Sequence, residues 1–287
     1  MGAPRTYDIP LPAASLQLTV TTATDVGAVR RVNEDSLLAV GPVFLVADGM
    51  GGHSFGDRAS QSAVAAFQRE VVPGRPAEIA HILELVQVAN SDVIDLSSWA
   101  GEERVLSGTT LTGLALVETP AGAFAWLGFN VGDSRLYGYT SGHLTQLSVD
   151  HSVVQELVDA GAITPEQAHR HPDRNVVTRA LGAAERADAD VWSIPIQEQQ
   201  TFLICSDGLS KEMTDSEIAR VMRDHDGTSG STVAEELVAA AVAAGGRDNV
   251  TVVVVESRLV GDLHTDAAQT LDRPPISAAF EDTMPRA

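Results

Sequence analysis

Five aspartates in the sequence could together build an acidic site. Four of them stand at the edge of a hydrophobic run beside a turn residue or an asparagine, and the fifth comes just before such a run. They are Asp35, Asp48, Asp133, Asp207 and Asp248. Carboxylates brought together at the ends of strands repel each other strongly unless cations lie between them. The pattern therefore predicts one shared metal site assembled from distant segments of the chain.

The donors of this predicted site are oxygens, because no histidine or cysteine pair in the sequence has the spacing of a zinc site. Oxygen donors favour Mg²⁺ or Mn²⁺. Two such ions about 3.5–4 Å apart hold a phosphoryl oxygen and lower the pKa of a bound water. Gly49 and Gly208 directly follow two of the aspartates, where a tight turn lets a backbone carbonyl bind metal as well. A single aspartate at a strand end is often only a turn residue, but five in similar contexts indicate metal-dependent phosphate chemistry.

The composition narrows the class of protein. The formal net charge of −20 argues against nucleic acid or an anionic membrane as the main partner, because both need clustered lysine and arginine. The single cysteine, Cys205, excludes an internal disulfide and fits a reducing compartment. The N-terminal residues lack the pattern of a signal peptide, and no uncharged run reaches the ~18 residues that span a bilayer. We therefore expect a soluble, cytoplasmic protein.

Hydrophobic periodicity predicts the elements that must position the aspartates. Strands are predicted over 16–25, 36–40, 43–47, 107–118, 122–133, 134–140, 143–148, 200–208 and 249–257. Helices are predicted over 56–67, 77–96, 150–161, 164–172, 214–222 and 232–245, the last two opening with capping boxes. This order is typical of one α+β domain in which helices cover antiparallel sheets.

Two terminal segments are predicted to lie outside this domain, and a third segment is predicted to form a distinct part within it. Residues 1–15 are expected to form a flexible arm, and residues 259–287 a disordered tail, because neither segment is periodic. The compact helical insertion over about 150–182 is expected to form a lid. The catalytic domain would therefore span 16–258.

Six motifs in order along the chain resemble those of the metal-dependent protein phosphatases of type 2C. They are RRVNEDS, VADGMGGH, SGTT, NVGDSR, SDGLS and RDNVT. The segment over 150–182 resembles the flap of the bacterial Ser/Thr phosphatase branch. The resemblance implies two antiparallel β-sheets packed as a central sandwich and flanked by helices, an α-β-β-α order, with a small helical flap. It also implies hydrolysis of phosphoserine and phosphothreonine by a water that two metal ions activate.

The resemblance also implies which residues hold the metal. Asp48 would bridge two Mn²⁺ or Mg²⁺ ions, and the Gly49 carbonyl would complete the second. Asp207 and Asp248 would hold the first ion. Asp133 would join Asp207 in binding a weaker third ion.

Further roles follow from the same resemblance. Glu34 and Asp35 would act mainly through metal-bound waters. Arg30 matches the arginine that binds the phosphate of the substrate, with Arg31 as the competing candidate. Asn249 would brace Asp248 rather than contact substrate.

Two positions depart from the family pattern. Met50 stands where eukaryotic relatives carry a histidine proposed as the general acid, so the general acid stays unassigned. The simpler interpretation of His53 is a structural role. His151 is either a general acid or a residue that makes a hydrogen bond at the start of a helix. Lys211 stands where many relatives have an aspartate that helps to bind the third ion. We expect Lys211 to weaken that site or to replace it with a fixed positive charge.

The leading hypothesis is therefore a Ser/Thr protein phosphatase that opposes a bacterial Ser/Thr kinase, with a monomer as the favoured state. The alternative is a catalytically weak module of the same fold that binds phosphoproteins. A metal-dependent nuclease conflicts with the acidic charge. A cysteine nucleophile is disfavoured because Cys205 lacks a phosphate-binding loop and an adjacent base.

Overall fold

Two antiparallel β-sheets with helices on both outer faces make up the computed structural model, which describes residues 3–51, 55–98, 107–227 and 230–261. The strands are β1 Arg5–Leu11, β2 Ala14–Asp25, β3 Asp35–Val40, β4 Val43–Met50, β5 Ala77–Glu78, β6 Gly108–Thr109, β7 Leu111–Glu118, β8 Phe124–Val131, β9 Arg135–Thr140, β10 His143–Gln146, β11 Asp190–Pro195, β12 Gln199–Cys205 and β13 Val250–Gly261. The helices are α1 Gly56–Glu70, α2 Ile79–Ser98, α3 Val153–Asp159, α4 Pro165–Ala168, α5 Asp207–Ser210, α6 Asp215–Asp224 and α7 Val233–Ala244.

Sheet one has the strand order β1-β2-β13-β12-β9-β10, and sheet two has the order β11-β8-β7-β4-β3. The long strands pair antiparallel, while the two-residue strand β5 pairs parallel with β7 and β6 pairs with β4. The α-β-β-α sandwich expected from the motifs is confirmed. None of the described helices is both long enough and apolar enough to cross a membrane.

The valine run of β13 shows how the layers are joined. Val253 and Val255 face the space between the two sheets, while Val252 and Val254 face the helical layer of α6 and α7. Successive side chains of a strand point to opposite faces of its sheet, so a strand covered on both faces is apolar at almost every position. A third apolar layer lies between sheet two and the helices α1 and α2.

The expected flexible arm over residues 1–15 is wrong for the residues that the structure describes. β1 pairs with β2 along its whole length as the edge strand of sheet one, and Ile9 is fully buried. Pro10 interrupts the sequence periodicity but is tolerated at a sheet edge, where its missing N–H costs no ladder hydrogen bond. At the other end, β13 continues to Gly261 opposite Ala14, past the expected boundary at 258. Residues 262–287 lie outside the described part, so the disordered tail stays a prediction.

The flap segment contains α3 and α4 and takes part in two isolated bridges, one within the flap and one to the rest of the protein. Ser152 pairs with Val177 within the flap, and Leu181 pairs with Thr109, the last residue of β6. The following strand β11 was missed from the sequence, because its burial is mixed along its length and gives no clear alternation. β11 pairs with β8 and completes sheet two beside the flap.

Candidate active site

One edge of the sandwich collects the predicted aspartates. Asp35 opens β3 and lies directly opposite Asp48 of β4 in the antiparallel register. Asp207 follows β12 and Asp248 precedes β13, and these two strands are neighbours in sheet one. Asp133 follows β8 and shares the Lys211 ammonium with Asp207. The sheets therefore bring together five carboxylates that are far apart in the sequence.

Glycine allows the turns at this edge to touch. A Cβ atom on Gly208 would lie 1.9 Å from the backbone oxygen of Asn249, and one on Gly49 would lie 2.1 Å from the backbone oxygen of Gly56. Both distances are far inside van der Waals contact, so no residue with a side chain fits without moving the backbone. Gly208 is thus the reason that the turn after β12 can lie against the turn before β13.

Burial and mutual repulsion dominate the electrostatics of the site. Burial, with the charges of Asp35 and Asp207, raises the pKa of Asp48 well above its ordinary value. Burial likewise raises the pKa of Asp35 and of Asp133 to about 7. The Oδ1 atoms of Asp35 and Asp207 are buried, and neither has a hydrogen-bond partner among the described residues. Such carboxylate oxygens are stabilised by a cation, because desolvation disfavours the charged form without one.

Two basic side chains neutralise part of the negative charge of the site. Arg30 donates a hydrogen bond of 2.7 Å from Nη2 to Asp248 Oδ2. Lys211 Nζ contacts Asp207 Oδ2 and lies 3.4 Å from Asp133 Oδ2. In this arrangement, no three acidic, histidine or cysteine side chains of the described residues are grouped closely enough to bind one metal ion. In the same arrangement, Arg30 occupies Oδ2 of Asp248 and Lys211 occupies Oδ2 of Asp207.

The donor set nevertheless fits hard divalent ions. The carboxylates supply only oxygen atoms, and two of those oxygens are buried and unpartnered. Six acidic side chains, counting Glu34, face two basic ones. A divalent ion is the group that balances such an excess, because it carries two charges in a small volume.

Asn249 holds the loop that carries Arg30 and Glu34. Its side-chain oxygen accepts a hydrogen bond of 2.8 Å from the Glu34 backbone N–H. Its side-chain nitrogen donates to the backbone oxygens of Val26 and Val32, both at 3.0 Å. Asn249 therefore braces the loop over 26–34 with its side chain, while only its backbone N–H binds Asp248.

Ser206 is a positioning residue that the sequence did not reveal. Its hydroxyl donates to Asp35 Oδ2 at 2.7 Å and accepts a hydrogen bond from the Thr251 backbone N–H. Ser206 is fully buried, and it joins the two sheets directly beneath the acidic cluster. Its place in the SDG motif was the available signal, but a serine at a strand end is equally common as a turn residue.

His151 anchors the flap. Its Nδ1 accepts a hydrogen bond of 3.0 Å from the Gly132 backbone N–H, so Nε2 carries the ring proton and donates it to Asp190 Oδ2 at 3.2 Å. Asp190 also accepts from Arg179 at 3.0 Å. Because both ring nitrogens are engaged and the ring is buried, the structure favours the hydrogen-bonding role over that of a general acid. His53 lies outside the described residues.

The protein phosphatase 2C family model matches residues 29–245, which is most of the chain. The chain belongs to this family. A serine/threonine phosphatase of Listeria welshimeri is 34% identical over 247 residues, which covers 83% of this chain and 95% of that protein. The expected membership in this family is confirmed.

Solved structures of this phosphatase family share the fold. A Ser-Thr phosphatase of Mycobacterium smegmatis, crystallised with cacodylate, matches with a TM-score of 0.70 at 39% identity and covers 82% of this chain and 97% of that one. The catalytic domain of the phosphatase PstP, crystallised with two manganese ions, matches with a TM-score of 0.71 at 33% identity and covers 85% and 99%. Both sequence identities, 39% and 33%, are high enough to indicate membership of one family as well as a shared fold.

In this member of the phosphatase family, a cleft of about 700 Å³ runs from Asp133 and Asp207 to the flap. The flap supplies Arg170 and Arg174 to its lining, and Lys211 lies where the cleft meets the aspartates. The cleft lies beside the acidic cluster, and residues of the flap and of the cluster line it together.

Proposed function

We propose that this protein is a metal-dependent protein serine/threonine phosphatase. The observation that carries the proposal is the convergence of Asp35, Asp48, Asp207 and Asp248 at one sandwich edge. There, Asp35 and Asp207 each keep a buried carboxylate oxygen that has no partner in the described part of the chain. Family membership supports the same reaction. The weak phosphoprotein-binding module is less favoured, since each acidic residue expected to hold the first two ions is present.

Asp48, Asp207, Asp248 and the Gly49 carbonyl would hold two ions, with Glu34 and Asp35 acting through water. Mn²⁺ or Mg²⁺ suits this oxygen donor set, and the relative crystallised with two manganese ions supports Mn²⁺. When bound, such ions neutralise phosphoryl oxygens and lower the pKa of a water that attacks phosphorus.

The residues of the chain bind and orient the phosphate. The Arg30 side chain is about half exposed, at 49%, and lies beside Asp248. A guanidinium there can bind two oxygens of a phosphate ester at once. Hydrolysis would use water directly, because burial raises the pKa of the Cys205 thiol to about 12 and the side chain is fully buried.

The substrate would be a phosphoprotein segment lying in the cleft beside the flap. The natural partner would be a Ser/Thr kinase whose products this phosphatase dephosphorylates, and the single reduced cysteine fits a cytoplasmic location. The favoured state is a monomer, which light scattering coupled to size-exclusion chromatography would test.

Hydrolysis of para-nitrophenyl phosphate and of a phosphothreonine peptide tests the proposal. The purified protein should be active with Mn²⁺ and inactive with EDTA. Asp48→Asn, which disturbs neither the Arg30 nor the Lys211 contact, should abolish activity, and so should Asp207→Asn. Asp8→Asn, an exposed substitution on the edge strand β1, is the matched control and should leave activity intact. Retained phosphopeptide binding without hydrolysis under all conditions would instead establish the binding module.

A further inference from the structure

Lys211 is the one lysine among the 19 lysine and arginine residues of the chain. It directly follows the single-turn helix α5, so its side chain reaches back over Asp207, four residues earlier. Asp133 approaches the same ammonium from the end of β8. Both aspartates are more than nine-tenths buried. The only lysine of the protein therefore lies against two buried carboxylates of the candidate active site.

Lysine differs from arginine in presenting a compact point charge. That shape resembles a metal ion more closely than a planar guanidinium does. Its ammonium contacts Asp207 Oδ2 and lies 3.4 Å from Asp133 Oδ2. A lysine side chain is ordinarily charged at neutral pH, and the chain tethers this charge in place.

We propose that Lys211 is a built-in cation of the active site, whose ammonium takes the place between Asp133 and Asp207 that a third divalent ion would otherwise hold. The proposal rests on the metal site of the proposed function and limits that site to two ions. Asp133 is then a partner of Lys211 and not a metal ligand, unlike the third-ion role expected from the motifs.

This arrangement has a consequence for the cleft. A third divalent ion would bring two positive charges that depend on metal concentration, whereas Lys211 brings one that is always present. The Lys211 side chain keeps 32% of its surface exposed and lines the cleft. The positive charge that Lys211 supplies at the inner end of the cleft therefore does not depend on the supply of metal.

Metal stoichiometry tests the proposal without relying on activity. Equilibrium dialysis against increasing Mn²⁺, followed by elemental analysis, should give two ions per wild-type chain. Lys211→Asp should bind a third ion, and Lys211→Met separates removal of the ammonium from addition of a carboxylate. Arg170→Asp changes a charge in the lining of the same cleft and should stay at two ions. A third ion bound equally well by wild type and Lys211→Asp would overturn the proposal.

The single lysine also allows a direct observation. Protein labelled with ¹⁵N at lysine Nζ should give one side-chain signal, and that signal should stay in its protected environment when Mg²⁺ is added to saturation. Movement to the shift of a solvent-exposed lysine would show that an ion displaces Lys211 and would overturn the proposal. Absence of any bound ion would count against the proposed function, while the lysine signal of the metal-free protein would still decide whether the carboxylates hold Lys211.

Discussion

Arg30 and Asp248 are 218 residues apart in the chain and are joined by a hydrogen bond of 2.7 Å. The bond links a proposed phosphate-binding group to a proposed metal ligand. If Asp248 binds an ion, the guanidinium of Arg30 would lose this carboxylate partner and become available to a phosphate. Metal binding and substrate binding are therefore expected to depend on each other at this pair.

Replacing Arg30 should separate these two effects. Arg30→Ala should lower kcat/KM about 10- to 100-fold, because a hydrogen bond to a charged group contributes roughly 1.5–3 kcal/mol. The same change should strengthen Mn²⁺ binding, since Asp248 no longer has a competing partner. Steady-state kinetics and calorimetry measure the two quantities. Arg31→Ala, at the exposed neighbouring position, should change neither, and equal losses in both variants would contradict the assignment of Arg30.

Gly208 should be intolerant of a side chain. In Gly208→Ala the new Cβ would collide with the Asn249 backbone oxygen and push the turn carrying Asp207 away from the turn carrying Asp248. A displacement of about 1 Å at a catalytic site can cost roughly 100-fold in rate. We expect a loss of that order in kcat/KM together with weaker Mn²⁺ binding. Gly138→Ala is the control, because its Cβ would meet Leu147 at an ordinary 3.5 Å.

Asn249→Ala should loosen the loop over 26–34. The variant loses the bond to the Glu34 backbone and the two bonds to backbone oxygens, so a stability loss of about 1–3 kcal/mol is expected. Faster amide hydrogen exchange at Glu34 and weaker Mn²⁺ binding should accompany it. Asn90→Ala removes a comparable buried brace, which binds Gly182 and Ala184 at the end of the flap. That control should lose stability but keep its affinity for metal.

The metal-free protein should become less stable as the pH rises from about 4 to about 7. Unfolded aspartates titrate near 4, whereas the pKa of Asp35 and of Asp133 in the folded protein is about 7. The folded state therefore binds more protons than the unfolded state in this window, and the free energy of unfolding falls with pH. Melting curves in EDTA measure the slope, and Asp35→Asn should make it shallower. Saturating Mn²⁺ should reverse the trend, because the ion competes with these protons.

Much of the fold follows from the sequence. The capping boxes at Thr214 and Thr232 begin α6 and α7 as expected, because local patterns determine where helices start. Two edge strands, β1 and β11, escaped prediction. β11 pairs with β8, which is distant in sequence, whereas β1 pairs with the adjacent strand β2. Both strands are partly exposed along their length.

For the candidate site, residue type and spacing identified the aspartates, their oxygen chemistry and their family. The chain alone could not show which charged side chains meet, because a contact between residues 218 positions apart depends on strand register and sheet packing. Only the folded structure shows that Asn249 braces the 26–34 loop and that His151 anchors the flap. The same holds for Lys211 between Asp133 and Asp207. The order of residues determines local chemistry. The balance of charge at a buried site depends instead on which charged side chains the folded sheets bring within a few ångströms of each other.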